Sequence, residues 1–338
     1  MSAEVNPIAG PLAAAVARQI EGINGIENLR RLSGGASQET WSFDATGDGK
    51  SVPLILRRSP GGDRAKSETA AGLEIEAELI QLAEGLGVPV PPVRLVLTAE
   101  DGFGRGFVMD RIEGETIARK ILRDDEFADA RPKMARQCGE ILARLHKADM
   151  SKLPKLRTSA ARDEIEQYAK TYKTHDHPHP VFDLAIRWLR DNAPSTDTKL
   201  TLVHGDFRNG NLMIGPDGVR AVLDWELAHI GDPMEDLGWL CVTSWRFGGI
   251  DKPVGGFGDR EDLFAGYESV TGKSVDRERV RFWEVMGTMR WGLSCAMMAR
   301  EFMEGEPSVE KAAIGRRASE TEIDLLAILA PRKGYRHA

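Results

Sequence analysis

The sequence contains 338 residues, of which 41% are hydrophobic and 29% charged, and its net charge is −7. This is enough apolar material for one large or two medium domains. The acidic balance argues against nucleic acid as a partner, because nucleic-acid binding favours a basic face. No apolar run is long enough to span a bilayer, so we expect no membrane association.

The N-terminus lacks the basic and apolar regions of a signal peptide, so we expect no secretion. The three cysteines are far apart in the sequence, and no C-x-x-C pair occurs. Such isolated cysteines are typical of buried thiols in a reducing cytosol. We therefore expect a cytoplasmic protein.

The first third of the chain has the pattern of a small β-rich lobe. An amphipathic helix is predicted over 8–22, and strands are predicted over 31–44, around a glycine-rich turn, and over 52–62. A helix over 73–87 and two strands within 90–115 follow. These elements predict a mostly antiparallel sheet with one helix beside it.

After Gly114 the pattern becomes mostly helical. The predicted helices cover 130–148, 161–173, 181–192 and 281–304, and short strands lie within 202–224. We therefore expect an α+β chain with an N-lobe over 1–110, a C-lobe over 111–338 and a nucleotide-binding cleft between them.

The motif His204-Gly205-Asp206, with Asn211 shortly after it, lies in a polar turn between two apolar runs, and Asp224 ends a following strand. Phosphoryl transfer needs a carboxylate that orients a hydroxyl group and accepts its proton late, which we assign to Asp206. It also needs oxygen ligands for Mg²⁺, which we assign to Asn211 and Asp224. An ordinary polar turn is the alternative, and the co-occurrence of the three residues argues against it. His204 is expected to hydrogen-bond the loop backbone.

HGDFRNGN (204–211) and LDWELAHIGDPMEDLGWL (223–240) resemble the aminoglycoside phosphotransferase/choline kinase family, whose members are relatives of the protein kinases. The resemblance runs from about Leu32 to about Trp291. It is closest to the kinase-like domain at the N-terminus of acyl-CoA dehydrogenase family members of types 10 and 11. The segments that carry it are LSGGASQ (32–38), LRR (56–58), VMDRIEG (108–114) and DWE (224–226). It implies a bilobal protein-kinase-like fold with a small β-rich N-lobe and a larger helical C-lobe.

The resemblance implies that SGGASQET (33–40) is the nucleotide loop. Glycines let the backbone approach phosphates closely, and a serine hydroxyl can donate to one. The expected contacts are Ser33, Gly34, Gly35 and Ser37. The segment has neither G-x-G-x-x-G nor a Walker A lysine, so an ordinary glycine hairpin is the alternative.

Arg57 stands where this fold usually has the strand lysine that contacts the α- and β-phosphates. A guanidinium group binds phosphate in bidentate fashion. Strand alternation lets only one of Arg57 and Arg58 face the cleft, and we favour Arg57. We expect Glu76 on the following helix to be its partner, with Glu74 and Glu78 as alternatives.

The segment GFVMDRIEGE (106–115) is expected to be the hinge between the lobes. In this family the adenine ring is bound there by backbone groups, which we assign to Asp110 and Ile112. Met109 is expected to pack next to the base. ATP and Mg²⁺ are therefore the expected cofactors.

Four residues are candidates for the acceptor side of the site. Arg208 is expected near the transferred phosphate or an anionic substrate. Glu226 is expected to orient a second metal or the substrate, with a surface acid as the alternative. Arg290 and Trp291 are candidates for the substrate pocket, with a helix-surface arginine as the alternative for Arg290.

Three further sites are interpreted as structural. Asp232 is expected to cap a helix, and Asp236 to brace the catalytic loop from beneath. The histidines of HDHPH (175–179) have metal-like spacing, but the prolines favour a loop over a zinc site.

We therefore expect an ATP-dependent kinase that phosphorylates a hydroxyl group of a small molecule by direct in-line transfer. The arginines within 281–292 and the resemblance to the dehydrogenase-associated domains favour a hydroxy acid or an acyl-CoA derivative as the acceptor. An aminoglycoside antibiotic is the alternative acceptor. A nucleotide-binding pseudokinase that binds a partner is the alternative function. The sequence leaves the oligomeric state open.

Overall fold

The computed structural model describes residues 6–34, 38–59, 71–175, 177–195, 197–305 and 308–330. Five strands near the N-terminus form one antiparallel sheet in the order β1-β2-β3-β5-β4. Its elements are helix α1 (Ala9–Gln19), β1 (Gly25–Gly34), β2 (Glu39–Gly47), β3 (Lys50–Ser59), helix α2 (Leu73–Gly85), β4 (Val93–Val96) and β5 (Arg105–Asp110).

Strand β3 is the centre of this sheet and is covered on both faces. Because successive side chains on a strand point to opposite faces, Leu54 and Leu56 belong to one apolar cluster, which also contains Leu12 of α1. Ile55 belongs to the main core together with Ile80 of α2. The same alternation directs Arg57, two positions after Ile55, to the α2 face of the sheet.

The rest of the chain is mostly helical. Its helices are α3 (Ala118–Arg123), α4 (Arg131–Leu145), α5 (Ala161–Tyr172), α6 (Pro180–Asp191), α7 (Met234–Cys241), α8 (Arg260–Thr271), α9 (Arg277–Met303), α10 (Val309–Gly315) and α11 (Ala318–Leu329). Its short strands are β6 (Thr201–Val203), β7 (Leu212–Gly215), β8 (Gly218–Val222) and β9 (His229–Gly231). β6 pairs with β9 and β7 pairs with β8, so two small ribbons flank the segment that carries the sequence motif.

Helix α9 organises the helical part, because α5, α6, α7, α10 and α11 all pack against it. Met286, Met289 and Leu293 on α9 are buried in the main core. Met297, further along the same helix, is half-buried. Within the described residues, none of the helices has both the length and the apolar composition that a membrane crossing requires.

The expected α+β class, with a β-rich N-terminal part and a larger helical C-terminal part, is confirmed. Strand β1 begins at Gly25, well before the predicted strand, because its first half alternates too weakly to be recognised from the sequence. Strand β5 ends at Asp110. The division into 1–110 and 111–338 stays a prediction, with which this strand end is compatible.

Helices α4 and α8 cross at a contact made by two glycines. A Cβ atom on Gly139 would overlap the carbonyl oxygen of Leu263, and one on Gly266 would overlap the carbonyl oxygen of Arg136. We therefore expect Gly139→Ala to lower the free energy of unfolding by about 1–3 kcal/mol in urea denaturation. Gly85→Ala in α2 is the control, because nothing lies within 4 Å of the position that its Cβ atom would occupy. Equal losses in the two variants would contradict this close helix contact.

Candidate active site

The loop after β6 is anchored from beneath by Asp236 of α7. The buried Asp236 carboxylate accepts the His204 N–H at 2.8 Å and the Gly205 N–H at 2.9 Å. Burial alone would raise the pKa of Asp236, but these donors and His146 stabilise the charged form and lower the pKa. The expected bracing role of Asp236 is confirmed. Asp232 also accepts the Met234 N–H, at 2.9 Å, at the start of α7.

Gly205 and His204 determine the shape of this loop. Gly205 has φ = +76°, and a Cβ atom there would overlap the Leu227 carbonyl oxygen, so only glycine fits. The His204 ring is fully buried; its Nε2 lies 3.1 Å from the Leu223 carbonyl oxygen, and its Nδ1 accepts the Asp206 N–H at 3.2 Å. Burial lowers the pKa of His204, which favours the neutral ring. Its expected backbone-bonding role is confirmed.

The Asp206 carboxylate is oriented by three side-chain donors. Its Oδ2 accepts from Asn211 Nδ2 at 2.6 Å, and its Oδ1 accepts from Trp239 Nε1 at 2.8 Å. Arg208 Nε lies 3.1 Å from Oδ1. The side chain keeps 13% of its surface exposed. The carboxylate is thus held in one orientation and is still accessible.

Asp224 follows β8 in a left-handed backbone conformation, with φ = +66°. Such a conformation is uncommon for a residue other than glycine and marks a constrained position. The adjacent Trp225 is a core residue: it is buried and donates to the Val222 carbonyl oxygen at 3.2 Å. The Leu223 N–H donates to the Asn211 carbonyl oxygen at 2.9 Å, which ties the Asp224 segment to the catalytic loop.

The donor atoms of Asn211 and Asp224 fit Mg²⁺. The Asn211 amide nitrogen donates to Asp206, so its side-chain oxygen is the atom suited to a metal. Mg²⁺ in nucleotide sites is usually bound by one or two protein oxygens and completed by phosphate oxygens and water. In the described part of the chain, no group of three or more His, Cys, Asp or Glu side chains could hold a metal ion.

Arg57 joins the sheet, helix α2 and the Asp224 segment. Its Nη2 lies 3.3 Å from Glu76 Oε2 and 3.4 Å from Asp224 Oδ1, and it donates to Gln38 Oε1 at 2.9 Å. Of the candidate residues, the structure therefore brings Arg57, Glu76 and Asp224 together. This cluster lies beside the loop that carries Asp206.

The alternatives to this pair have other partners. Arg58 contacts Glu39 at 2.8 Å and donates to a backbone carbonyl oxygen. Glu74 forms two hydrogen bonds of 2.6 Å with Arg105 at the surface. Glu78 is exposed. The contacts favour Arg57 and Glu76 as the pair that faces the cleft.

A cleft of about 640 Å³ lies between the sheet and the catalytic loop. Its lining includes the apolar side chains of Ile55, Met109 and Ile112 and the polar side chains of Asn211 and Asp224. A volume of this size suits a small-molecule ligand. Arg57 also lines the cleft, so its apolar side chains and this cation match a ligand that carries both a ring and anionic groups.

The hinge residue Asp110 has its side chain and its N–H engaged within the protein. Arg94 donates to the carboxylate at 2.7 and 2.6 Å, and the N–H donates to the Pro92 carbonyl oxygen at 2.9 Å. Binding of a base at Asp110 would therefore use its carbonyl oxygen. Of the nucleotide loop, Gly35 and Ser37 lie outside the described residues, and the backbones of Ser33 and Gly34 pair with β2.

Two acceptor-side candidates adjoin the cleft. The Arg208 guanidinium lies 4.8 Å above the ring of Trp245, which makes a cation–π contact beside Asp206. Glu226 lines the cleft, and burial, with the nearby Asp224 charge, raises its pKa. Their roles toward a substrate stay predictions.

Arg290 is not a surface arginine, because its side chain is only 13% exposed. It donates to the Gly205 carbonyl oxygen at 2.9 Å, lies 3.5 Å from Glu235 and stacks 4.3 Å from the ring centre of Trp239. The Arg290 side chain therefore interacts with groups of the protein itself. Trp291 packs 4.9 Å from Trp245. A substrate role for Arg290 and Trp291 stays a prediction.

Trp239 and Gln38 are functional candidates that the sequence did not reveal. Trp239 follows Asp236 by three positions, so the two share one face of α7. Because Asp236 is expected to brace the loop, this spacing predicts that Trp239 also faces the loop. Gln38 had no comparable signal, because its contact with Arg57 depends on the pairing of β2 with β3.

The antiparallel N-terminal sheet and the helical C-terminal part, with the loop that carries Asp206, have the arrangement of a bilobal, protein-kinase-like fold. Residues 28–283 match the model of the phosphotransferase enzyme family. The chain therefore belongs to this family and is a small-molecule kinase.

Two curated relatives are acyl-CoA dehydrogenases by name. The chain is 32% identical over 230 residues to "Probable acyl-CoA dehydrogenase IBR3" of Arabidopsis thaliana, which covers 62% of this chain and 27% of that protein. It is 30% identical over 200 residues to acyl-CoA dehydrogenase family member 11 of Mus musculus, covering 57% and 25%. The chain thus spans about a quarter of the length of these relatives. The expected resemblance is confirmed.

Solved structures show the same fold. A proposed aminoglycoside phosphotransferase from Ralstonia eutropha superposes with a TM-score of 0.75 at 23% identity, covering 96% of this chain and 98% of that one. A spectinomycin phosphotransferase in complex with ADP and spectinomycin gives a TM-score of 0.60 at 14% identity, covering 97% and 99%. At these identities the likeness establishes the kinase-like fold.

The pair of Glu76 and Arg57 makes stability depend on pH. Burial raises the pKa of Glu76 from 4.5 to about 7, and the attraction of Arg57 only partly opposes this. Between these values the folded protein keeps a proton that the unfolded chain releases, so stability decreases as the pH rises. We expect Glu76→Gln to remove a loss of up to about 3 kcal/mol between pH 4.5 and 7, measured by urea denaturation.

Glu78→Gln is the control for this experiment, because Glu78 lies on the same helix and is exposed. It should keep the pH dependence of the wild-type protein. If Glu76→Gln and the wild-type protein lose stability equally over this pH range, Glu76 does not hold the proton.

Proposed function

We propose that this chain transfers the γ-phosphoryl group of ATP directly to a hydroxyl group of a small molecule, with Mg²⁺ as the metal. The observation that carries the proposal is the oriented and accessible carboxylate of Asp206 beside the Arg57–Asp224 contact. The ADP bound to the structurally similar spectinomycin phosphotransferase supports a nucleotide in the cleft.

Each charged residue then has one task. Asp206 orients the acceptor hydroxyl and accepts its proton late, which requires good positioning more than strong basicity. Asn211 and Asp224 offer oxygens to Mg²⁺, and the bound metal would neutralise charge on the phosphates. Arg57 contacts the α- and β-phosphates, and Glu76 positions Arg57 for this contact.

The remaining proposed contacts are with the base and the phosphates of the nucleotide. The hinge backbone at Asp110 and Ile112 binds the base, and Met109 packs beside it. The glycine-rich segment with Ser33, Gly34, Gly35 and Ser37 covers the phosphates.

Direct transfer is favoured over a phospho-cysteine intermediate because no cysteine thiolate is available. Cys138, Cys241 and Cys295 are all buried, and burial raises the pKa of each thiol. Three free, buried thiols also support the expected cytoplasmic location.

Arg208 favours an anionic or neutral acceptor over a polycationic one. Its guanidinium group contacts Asp206 and lies over Trp245, so a positive charge adjoins the transfer point. A polycationic aminoglycoside would be repelled there. A hydroxy acid or an acyl-CoA derivative fits this charge, and the acyl-CoA dehydrogenase relatives support the same choice. Glu226, Arg290 and Trp291 are candidates for further acceptor contacts.

The role of Asp206 predicts a separation of turnover from binding. We expect Asp206→Asn to lower turnover by about two to four orders of magnitude, with MgATP affinity nearly unchanged. Asp224→Ala is the comparison and should instead lose the Mg²⁺-dependent part of nucleotide affinity. ATP consumption and isothermal titration calorimetry measure the two effects. A fully active Asp206→Asn variant would contradict the assignment, and MgATP binding without turnover on any acceptor would indicate a pseudokinase.

The acceptor class predicts a pattern of substrates. In an assay of ATP consumption, we expect turnover with hydroxy acids or with their CoA thioesters, and none with kanamycin. Arg208→Met should lower kcat/KM for anionic acceptors by about 10-fold or more, because a charged contact is lost. Robust phosphorylation of kanamycin without turnover of hydroxy acids or their thioesters would reject this acceptor class.

A further inference from the structure

Trp239 lies in a different part of the fold from the other side chains that donate to the Asp206 carboxylate. Its Nε1 donates to Asp206 Oδ1 at 2.8 Å, whereas Arg208 and Asn211 belong to the same loop as Asp206. Asn211 binds Oδ2, the other carboxylate oxygen. Donors on both oxygens prevent rotation of the carboxylate, and the donor from α7 fixes it relative to the helical core.

Helix α7 forms hydrogen bonds with both the backbone and a side chain of the loop. Asp236 accepts from the backbone N–H groups of His204 and Gly205, and Trp239, three residues later on α7, donates to the side chain of Asp206. One rigid helix therefore positions both the backbone of the loop and its functional group.

Trp239 is itself fixed by close packing. It is 4% exposed, and the Arg290 guanidinium lies 4.3 Å from its ring centre. Trp245 packs at 5.1 Å from the same ring. Because Arg290 also donates to the Gly205 carbonyl oxygen, a single side chain supports both the loop and the indole that orients Asp206.

We propose that Trp239 is a positioning residue of the phosphoryl-transfer reaction, which holds Asp206 Oδ1 so that the other carboxylate lone pairs face the acceptor hydroxyl. This inference rests on the proposed kinase function. A hydrogen bond to a charged group is stronger than one between neutral groups. Its loss would leave the carboxylate held only by Arg208 and Asn211 of its own loop, and would affect the transfer step without touching the nucleotide.

Trp239→Phe removes the donor and keeps an aromatic ring. MgATP hydrolysis with water as the acceptor provides the readout, so the natural acceptor need not be known. We expect kcat to fall by about 10- to 100-fold, with KM for MgATP unchanged. Trp283→Phe is the matched control, because Trp283 is 2% exposed and, among the described residues, its indole nitrogen has no hydrogen-bond partner. It should keep the wild-type kcat.

A second measurement tests the hydrogen bond without catalysis. The chain has seven tryptophans, so ¹⁵N-indole labelling gives at most seven N–H resonances. The resonance missing from Trp239→Phe is assigned to Trp239. In the wild-type protein it should lie downfield, as expected for a donor to a carboxylate, and it should move upfield in Asp206→Ala.

The kinetic and NMR measurements distinguish a failure of the positioning role from a failure of the proposed function. An unshifted Trp239 resonance in Asp206→Ala, or a Trp239→Phe variant with wild-type kcat, overturns the positioning role. A fall of the same size in Trp283→Phe also overturns it, since the loss would then reflect general packing. A wild-type protein that neither hydrolyses MgATP nor binds it in calorimetry refutes the proposed function and the catalytic role of Trp239, while the NMR result still decides whether the bond exists.

Discussion

The candidate site depends on the buried carboxylate of Asp236. A charge inside a protein is tolerated only when donors replace the water that it loses. Here those donors are the N–H groups of His204 and Gly205 together with the His146 ring. Any other path of the loop would leave the buried Asp236 carboxylate with His146 as its one remaining donor among those described. The need to satisfy this one charge therefore fixes the backbone from which Asp206 projects.

The surroundings of two buried carboxylates shift their pKa values in opposite directions. Several donors lower the pKa of Asp236, whereas burial raises the pKa of Glu76, whose ion-pair partner Arg57 is shared with Asp224. The catalytic loop is thus strongly bonded to the helical core. Arg57 divides its contacts between Glu76 and Asp224, which suits its proposed role of exchanging a carboxylate partner for phosphates.

The parts of the site that the sequence predicted are those set by local rules. Strand alternation separated Arg57 from Arg58, and the polar turn with Asp206 and Asn211 was visible from its composition. The environments of Trp239 and Arg290 were not predictable in this way. Their contacts with Asp206 and Gly205 arise where α7 and α9 pack together, between segments that are far apart in the chain.

The same division explains why the reaction is easier to infer than the acceptor. The groups proposed for phosphoryl transfer are the loop residues Asp206 and Asn211 with the nearby Asp224, and backbone and side-chain hydrogen bonds connect them. The groups proposed to lie beside the acceptor come from this loop and from two later segments, represented by Arg208, Trp245 and Trp291. Their arrangement depends on how the C-terminal helices pack, so a change in that packing can alter the acceptor while the transfer chemistry is preserved.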